Sequence, residues 1–413
     1  PAGLWLFRRY EGRRAIIVGF LVAWLFLPVY KYSLPGLPDY SKISALSYVM
    51  LLGVALFDRK RFAAFRFRAF DAPILLFCVS GFFSSLANGL GAYDGLSASL
   101  GILTVWFVPY LLGRLYFDDL EALRDLTIGL FIGGLLYIPF CMFEMVMSPN
   151  LHRMLYGFHA HEDFSQTRRW GGWRPMVFMQ HGLMVGMWMT TASLAGLHLN
   201  RTGQLGWVKR RLKAHPTAVI GFLIAITILC KSMGALFLLL AGWAALRFGM
   251  RMKSRLPFAA LALIPIVYIV LRTTGSVNGE SIGAFLSDQL RLPDERVGSL
   301  TFRLYNEDML MDKAFARPLF GWGGWQRSFV FNASGRPISV PDGLWIIVLG
   351  RNGWFGLVCM LAALLLPPWL YLKRYPPGGW ADRPLVALGL APVVLICLFA
   401  IDSLLNDMYN PLI

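Results

Sequence analysis

The residues best suited to chemistry are charged side chains set among tryptophans and glycines in two polar stretches. The first stretch contains Ser148-Pro-Asn-Leu-His-Arg153, His159-Ala-His161 and Arg168-Arg-Trp-Gly-Gly-Trp-Arg174-Pro175. Its arginines, Arg169 and Arg174 among them, can fork onto phosphate oxygens while the neighbouring indoles stack on flat or sugar-like faces. The same composition also suits an interfacial anchor, because Trp and Arg collect at membrane–water boundaries. His159 and His161 have no third ligand at a telling spacing, so they are expected to be structural or solvent-facing, and no metal site is expected.

The second stretch runs from Arg272 to Asn352 and changes character near Gly298. Residues Gly298 to Phe315 have helical spacing, with Ser299 as the expected N-cap and Leu300, Leu304, Met311 and Phe315 on one docking face. Arg303 projects from the edge of that stripe. The helix is expected to stop at Arg317-Pro318, before Leu-Phe-Gly321-Trp-Gly323-Gly-Trp325. Those glycines make either a simple turn or a loop whose exposed amides receive an anion. Asp342 stands just where an apolar run begins, which suits an N-cap, a carboxylate poised at a membrane face, or both.

The elements that must hold these residues are membrane helices. Hydrophobic residues make up 57% of the 413-residue chain and charged residues only 15%, against about 25% charged in soluble domains. Apolar runs recur along nearly the whole length, so a cleaved leader cannot account for them. A span needs roughly 20 apolar residues, and candidate spans lie at 15–32, 43–57, 73–90, 98–113, 126–147, 179–198, 217–231, 234–249, 256–271, 353–372 and 385–404. The expected fold is therefore an all-α polytopic helical bundle of about 11–12 transmembrane helices with a large extracytoplasmic helical loop. Its divisions are 1–271, with an outer loop near 148–178, then a large loop at 272–352 and C-terminal spans at 353–413.

Charge sets the orientation. With the N-terminus cytoplasmic, Arg8, Arg9, Arg13, Arg14, Asp58-Arg-Lys-Arg61, Lys209-Arg-Arg211, Lys213, Arg251, Lys253, Arg255 and Lys373-Arg374 all fall on the inner side. The formal charge of +16 then reflects loops facing anionic lipid rather than nucleic acid. The five cysteines all lie in apolar runs and are expected to be buried small hydrophobes. Glu144 and Asp402, near helix ends, are expected to be snorkelling or water-facing carboxylates outside the site.

Residues 217–360, together with the first outer loop, resemble the superfamily of O-antigen ligases and O-antigen polymerases. Lys231-Ser-Met-Gly-Ala-Leu236 is similar to that family's Ser-Arg-Gly-Ala-Leu stretch. Arg303 followed by Pro318-Leu-Phe-Gly-Trp-Gly323 is similar to its loop arginine and Pro-Leu-x-Gly-x-Gly segment. Asp342 with Gly353 and Gly356-Leu357 matches the spacing of its histidine–glycine motif, and Arg168–Arg174 resembles the arginine- and glycine-bearing stretch before a span. Two positions depart from the family. Its motif histidine is Asp342 here, and Met233 replaces the arginine after the serine, with Lys231 as the nearest substitute. Both belong to the ligase pattern, so the resemblance implies a polymerase ahead of a ligase.

The resemblance implies a GT-C-like membrane glycosyltransferase of the bacterial inner membrane, with its active site facing the periplasm. The donor would be an undecaprenyl-pyrophosphate-linked glycan and the acceptor a second glycan, joined with loss of polyprenyl pyrophosphate. No cofactor or metal is implied. Arginines would neutralise the leaving group: Arg303 first, then Arg174, Arg169 and Lys231. Asp342 would take the acceptor's proton, aided by burial that raises its pKa. Implied partners are the lipid bilayer and the flippase and chain-length regulator proteins of polysaccharide assembly. A ligase using a lipid A-core acceptor is the nearest alternative. A lipid-linked-sugar flippase is the rival of another class, for which inverted repeats and broken helices would be expected.

Overall fold

The computed structural model describes residues 2–33, 38–161, 164–279, 281–282 and 294–412, with Ser165 and residues 294–297 described by backbone alone. Residues 280 and 283–293 of the second polar stretch lie outside the described residues. Helices occupy every expected span, and the strands among the described residues form two short ribbons: Lys31–Tyr32 with Tyr40–Ser41, and Arg168–Arg169 with Gly172–Trp173. The chain is an all-α polytopic bundle.

Among the described residues, seven helices are long and apolar enough to cross a membrane: Ala69–Ala87, Ala92–Tyr116, Leu120–Met147, Met233–Arg251, Leu256–Thr273, Leu344–Arg374 and Pro384–Asp402. The pair Gly206–Leu212 and Pro216–Leu229, bent by 86°, would make an eighth. Three expected spans fall outside this set for separate reasons. Gly12–Phe26 stops short at Leu27-Pro28, and Lys42–Phe57 is a 16-residue helix opened by a Ser41/Ser44 capping box. Gly182–Arg201 has the length but carries Thr190, Thr191, Ser193 and His198.

That polar content belongs to a helix buried on nearly all sides, packed against the 120–147, 216–229 and 233–251 helices. Most of its polar side chains are satisfied internally, the exception being the buried Thr191 hydroxyl, which has no hydrogen-bond partner among the described residues. Thr190 donates to the Ala235 carbonyl at 2.9 Å and Ser193 pairs with Thr227 at 2.9 Å, while His198 Nε2 meets the Ala387 carbonyl at 2.7 Å. Where lipid offers no hydrophobic drive between helices, interhelical polar pairs and small residues hold the bundle together. All five cysteines are buried and free, as expected.

The Leu344–Arg374 helix differs most from expectation. It begins nine residues before the expected span at 353, and it is broken where Gly353 adopts φ 64°, ψ −166°. The short half, Leu344 to Gly350, is buried throughout. The glycine-rich turn fills the break. Trp322 N–H donates to the Gly350 carbonyl (2.8 Å) and Gly323 N–H to that of Arg351 (3.0 Å), while Trp354 N–H and Phe355 N–H donate to Pro318 and Leu319 (2.8 and 3.1 Å). The amides of Trp322 and Gly323 are thus spent on bracing a broken helix and do not form an anion-receiving loop.

The helix Asp294–Phe315 starts earlier than Gly298, so Ser299 lies inside it and is not its N-cap. One exposed glycine costs a helix interior about 1 kcal/mol, which the buried Leu304, Leu310, Met311 and Ala314 outweigh. Phe315 is exposed; Ala314 takes the packed position instead. Glu307 fastens this helix to the bundle by accepting from Tyr268 Oη (2.7 Å), Arg272 Nε (3.2 Å) and Trp345 Nε1 (3.2 Å).

Candidate functional site

Connectivity brings three polar segments to one end of the bundle: the connection after the 120–147 helix, the turn between the 216–229 and 233–251 helices, and the described residues between the 256–273 helix and Leu344. The chain after the 384–402 span emerges at that end too, while the basic loops around 202–215 and 252–255 lie at the other.

In the first segment, Trp170 (φ 49°) and Gly171 (φ 67°) make the two-residue turn of a hairpin that pairs Arg168 with Trp173 and Arg169 with Gly172. Both central residues have positive φ, the arrangement that matches strand twist in two-residue hairpins. Arg174 N–H extends the ladder to the Thr167 carbonyl at 2.7 Å. The segment is pinned from below by Glu144, which is 1% exposed. Its carboxylate accepts from the backbone N–H groups of Leu151 (3.0 Å), Met176 (2.7 Å) and Val177 (2.7 Å). A buried carboxylate needs such partners. Glu144 is therefore an internal clamp and not the snorkelling group expected.

The clamp leaves Arg174 only 6% exposed, its Nη2 donating to the Lys231 carbonyl at 3.4 Å and its Nε buried without a hydrogen-bond partner. No carboxylate pairs with it among the described residues. Burial, then the fields of Arg169 and Arg303, pull its guanidinium down to about 10, so it remains a cation at neutral pH. Lys231 itself has φ 54°, and its ammonium lies against Gly172, where a Cβ would stand 2.2 Å from Nζ. The hairpin and the interhelical turn thus meet through Arg174, Gly172 and Lys231.

Arg303 and Asp342 form the second contact of the site. Arg303 Nε lies 3.6 Å from Asp342 Oδ2, and two hydrogen bonds explain why two residues so far apart in sequence meet. Asn306, on the same helix as Arg303, accepts Val340 N–H at 2.7 Å. Leu344 N–H donates to the Ser403 carbonyl at 2.9 Å, and the N-cap position belongs to Gly343, with no side-chain cap. Asp342 is not the helix cap; its carboxylate is left to Arg303. Burial raises its pKa above the ordinary carboxylate value, and the Arg303 cation opposes that rise.

The two contacts share one electrostatic neighbourhood. His181, at the start of the central helix, is held down to about 3, first by burial and then by Arg174, His161, Arg303 and Arg169. It stays neutral, accepting Leu183 N–H at Nδ1 (3.1 Å) and facing Gln166 Oε1 from Nε2 at 2.9 Å. Of the five residues singled out from sequence, Arg174 touches Lys231 and Arg303 touches Asp342. Arg169, exposed on the hairpin, reaches the others only through its field. Sequence reasoning missed His181 and Asn406, and it set Asp402 outside the site as a snorkelling or water-facing group, whereas the structure pairs that carboxylate with Asn406. Asn406 Oδ1 accepts from Arg303 Nη1 at 3.1 Å, and its Nδ2 donates to Asp402 Oδ1 at 2.9 Å. The four-residue spacing of Asp402 and Asn406 past the last span was the available signal.

Fold and site together define a multi-pass α-helical membrane protein with a cation-rich cluster at one end. No protein-family model matches the chain, and no curated protein is significantly similar to it.

Proposed function

We propose that this protein is a polyprenyl-pyrophosphate-dependent glycosyltransferase, of polymerase type, that extends undecaprenyl-pyrophosphate-linked oligosaccharides at the outer leaflet of the bacterial inner membrane. One observation carries the proposal. A buried guanidinium with no carboxylate partner among the described residues, Arg174, shares its surroundings with Arg169, Arg303 and Lys231, beside a carboxylate of raised pKa at Asp342. Burying a cation without a counter-ion is costly, and a pyrophosphate repays that cost when it binds. Placement of the N-terminus in the cytoplasm and of the site in the periplasm rests on the basic loops at the opposite end.

In this reading the acceptor hydroxyl attacks the anomeric carbon of the donor sugar and gives its proton to Asp342. The bond from that carbon to the pyrophosphate oxygen breaks, and polyprenyl pyrophosphate departs with its charge held by Arg303, Arg174 and Lys231. Arginine suits the task because it stays charged and binds phosphate oxygens in pairs.

The broken helix at Gly353 is a feature that a lipid-linked-sugar transporter would share. Here, however, the break is filled by backbone from Pro318 to Gly323, which favours a fixed scaffold. Purified protein in liposomes, supplied with undecaprenyl-pyrophosphate oligosaccharide, tests the choice. Longer glycan with release of lipid pyrophosphate is the expected result, lost in Asp342→Asn and severely reduced in Arg303→Lys. Translocation without elongation would establish the transporter instead.

A further inference from the structure

We infer that Asn406 is a positioning residue that holds Arg303 short of a closed ion pair with Asp342, keeping a phosphate-binding edge of the guanidinium and the carboxylate both available. The inference rests on the glycosyltransferase reading and adds to it a residue from the chain beyond the last span.

Its basis is the donor inventory of Arg303. A guanidinium only donates, through one N–H at Nε and two at each Nη. Nη1 is fully used, on the Leu405 carbonyl at 3.0 Å and Asn406 Oδ1 at 3.1 Å. Nη2 has no hydrogen-bond partner among the described residues, and Nε is 3.6 Å from Asp342 Oδ2, beyond hydrogen-bond distance. The Nε–Nη2 edge, one of the two that can bind an oxyanion in bidentate fashion, therefore faces Asp342 at ion-pair distance without a hydrogen bond closing it. A fully closed pair would cover that edge and neutralise Asp342 as well.

The residue type at 406 follows from the same inventory. Asp402 accepts only, Arg303 donates only, and a bridge between them must accept at one end and donate at the other. A primary amide does this, and asparagine has the reach. The chain continues one helical turn past the span, with Asn406 N–H on the Asp402 carbonyl at 3.0 Å, which sets Nδ2 at 2.9 Å from Asp402 Oδ1. The amide cannot rotate without facing two donors or two acceptors against each other. Farther along the segment, Tyr409 Oη donates to the Val105 carbonyl and its ring lies 4.8 Å from that of Trp106, tying this strap to the 92–116 helix.

The test uses full-length protein in liposomes and reads the dependence of kcat/KM on pH. Among the described residues, the charged or titratable groups facing the Arg303–Asp342 pair are Asp402 on the last span and Arg174, Arg169 and His181 from the first outer segment. In Asn406→Ala, Arg303 closes onto Asp342. The donor KM rises about tenfold, and the acidic limb of the profile moves to lower pH. In Asn406→Asp, a new carboxylate draws Arg303 away, and the limb moves to higher pH. Opposite displacements support the positioning role, since simple loss of folded protein lowers the amplitude and leaves the limb in place. Limbs that stay put, or move in the same direction, overturn it while leaving the transferase reading intact. Failure of the wild-type protein to transfer glycan overturns that reading and the positioning role with it.

Discussion

Gly353→Ala is the substitution whose effect can be worked most directly from the structure. At φ 64°, ψ −166° the backbone occupies a region open essentially to glycine alone, at a cost of about 1–3 kcal/mol for other residues. A Cβ there would stand 2.4 Å from both the carbonyl carbon and the oxygen of Leu319 and 2.6 Å from Phe320 N. These are backbone atoms and cannot swing aside. Relief requires the Pro318–Phe320 segment to move off the helix, which breaks the hydrogen bonds from Trp354 to Pro318 and from Phe355 to Leu319. At about 1 kcal/mol each, these bring the expected destabilisation to about 3–5 kcal/mol. Thermal unfolding in detergent, followed by loss of the monodisperse peak in size-exclusion chromatography, should show a fall of several degrees. Glycan transfer should fall further, because the break sets the half-helix that begins beside Asp342. Gly101→Ala is the control: it is helical with nothing within 4 Å of its Cβ position, and should be neutral or stabilising by about 0.5–1 kcal/mol. If Gly353→Ala melts with the wild type, the splint is not under the constraint argued here.

Arg174→Met should raise stability by about 1–4 kcal/mol, as replacement of a buried charge by an apolar side chain of similar size does, while donor binding weakens at least about tenfold. A lower melting temperature would make Arg174 a structural residue. Glu307→Gln leaves the buried Arg272 with the partly exposed Asp308 at 3.0 Å as its remaining carboxylate among the described residues and should cost about 3 kcal/mol. Adding Arg272→Met should recover part of that loss in a double-mutant cycle. The raised pKa of Asp342 has opposite consequences for folding and for the proposed role as a base. A carboxyl whose folded pKa exceeds its unfolded value costs stability as pH climbs from the ordinary carboxylate range through the raised value. A base must be ionised, so transfer increases over the same window. Melting temperature and kcat/KM measured between about pH 4 and 7 should therefore run in opposite senses, and Asp342→Asn should remove this component from the melting profile.

What could be read from the residues, and what could not, divides along the kind of partner each side chain has. Helices were legible because apolar runs of membrane length admit few other structures. Arg303, Arg174, Lys231 and Asp342 stood out because charges at a membrane edge require a partner or a purpose. The roles that stayed hidden all depend on backbone groups, which every residue supplies and no residue type announces. Glu144 is satisfied by three amides, so no basic residue in the sequence points to it. Asp342 loses the capping role because the Ser403 carbonyl takes Leu344 N–H, a contact across the fold between two unremarkable atoms. The glycines at 321 and 323 have the spacing of an anion-receiving loop, yet the amides of Trp322 and Gly323 are claimed by carbonyls of the broken helix. Arg303 shows both sides of this division in one residue. Its partner Asp342 is of complementary type and was already a candidate, but its distance from that partner is governed by a carbonyl at Leu405 and an amide at Asn406. The chemistry available to a guanidinium and a carboxylate depends on whether they are closed together or held slightly apart. The identity of the proposed reacting groups was therefore open to inference from residue type, whereas the distance between them emerged only from the backbone around them.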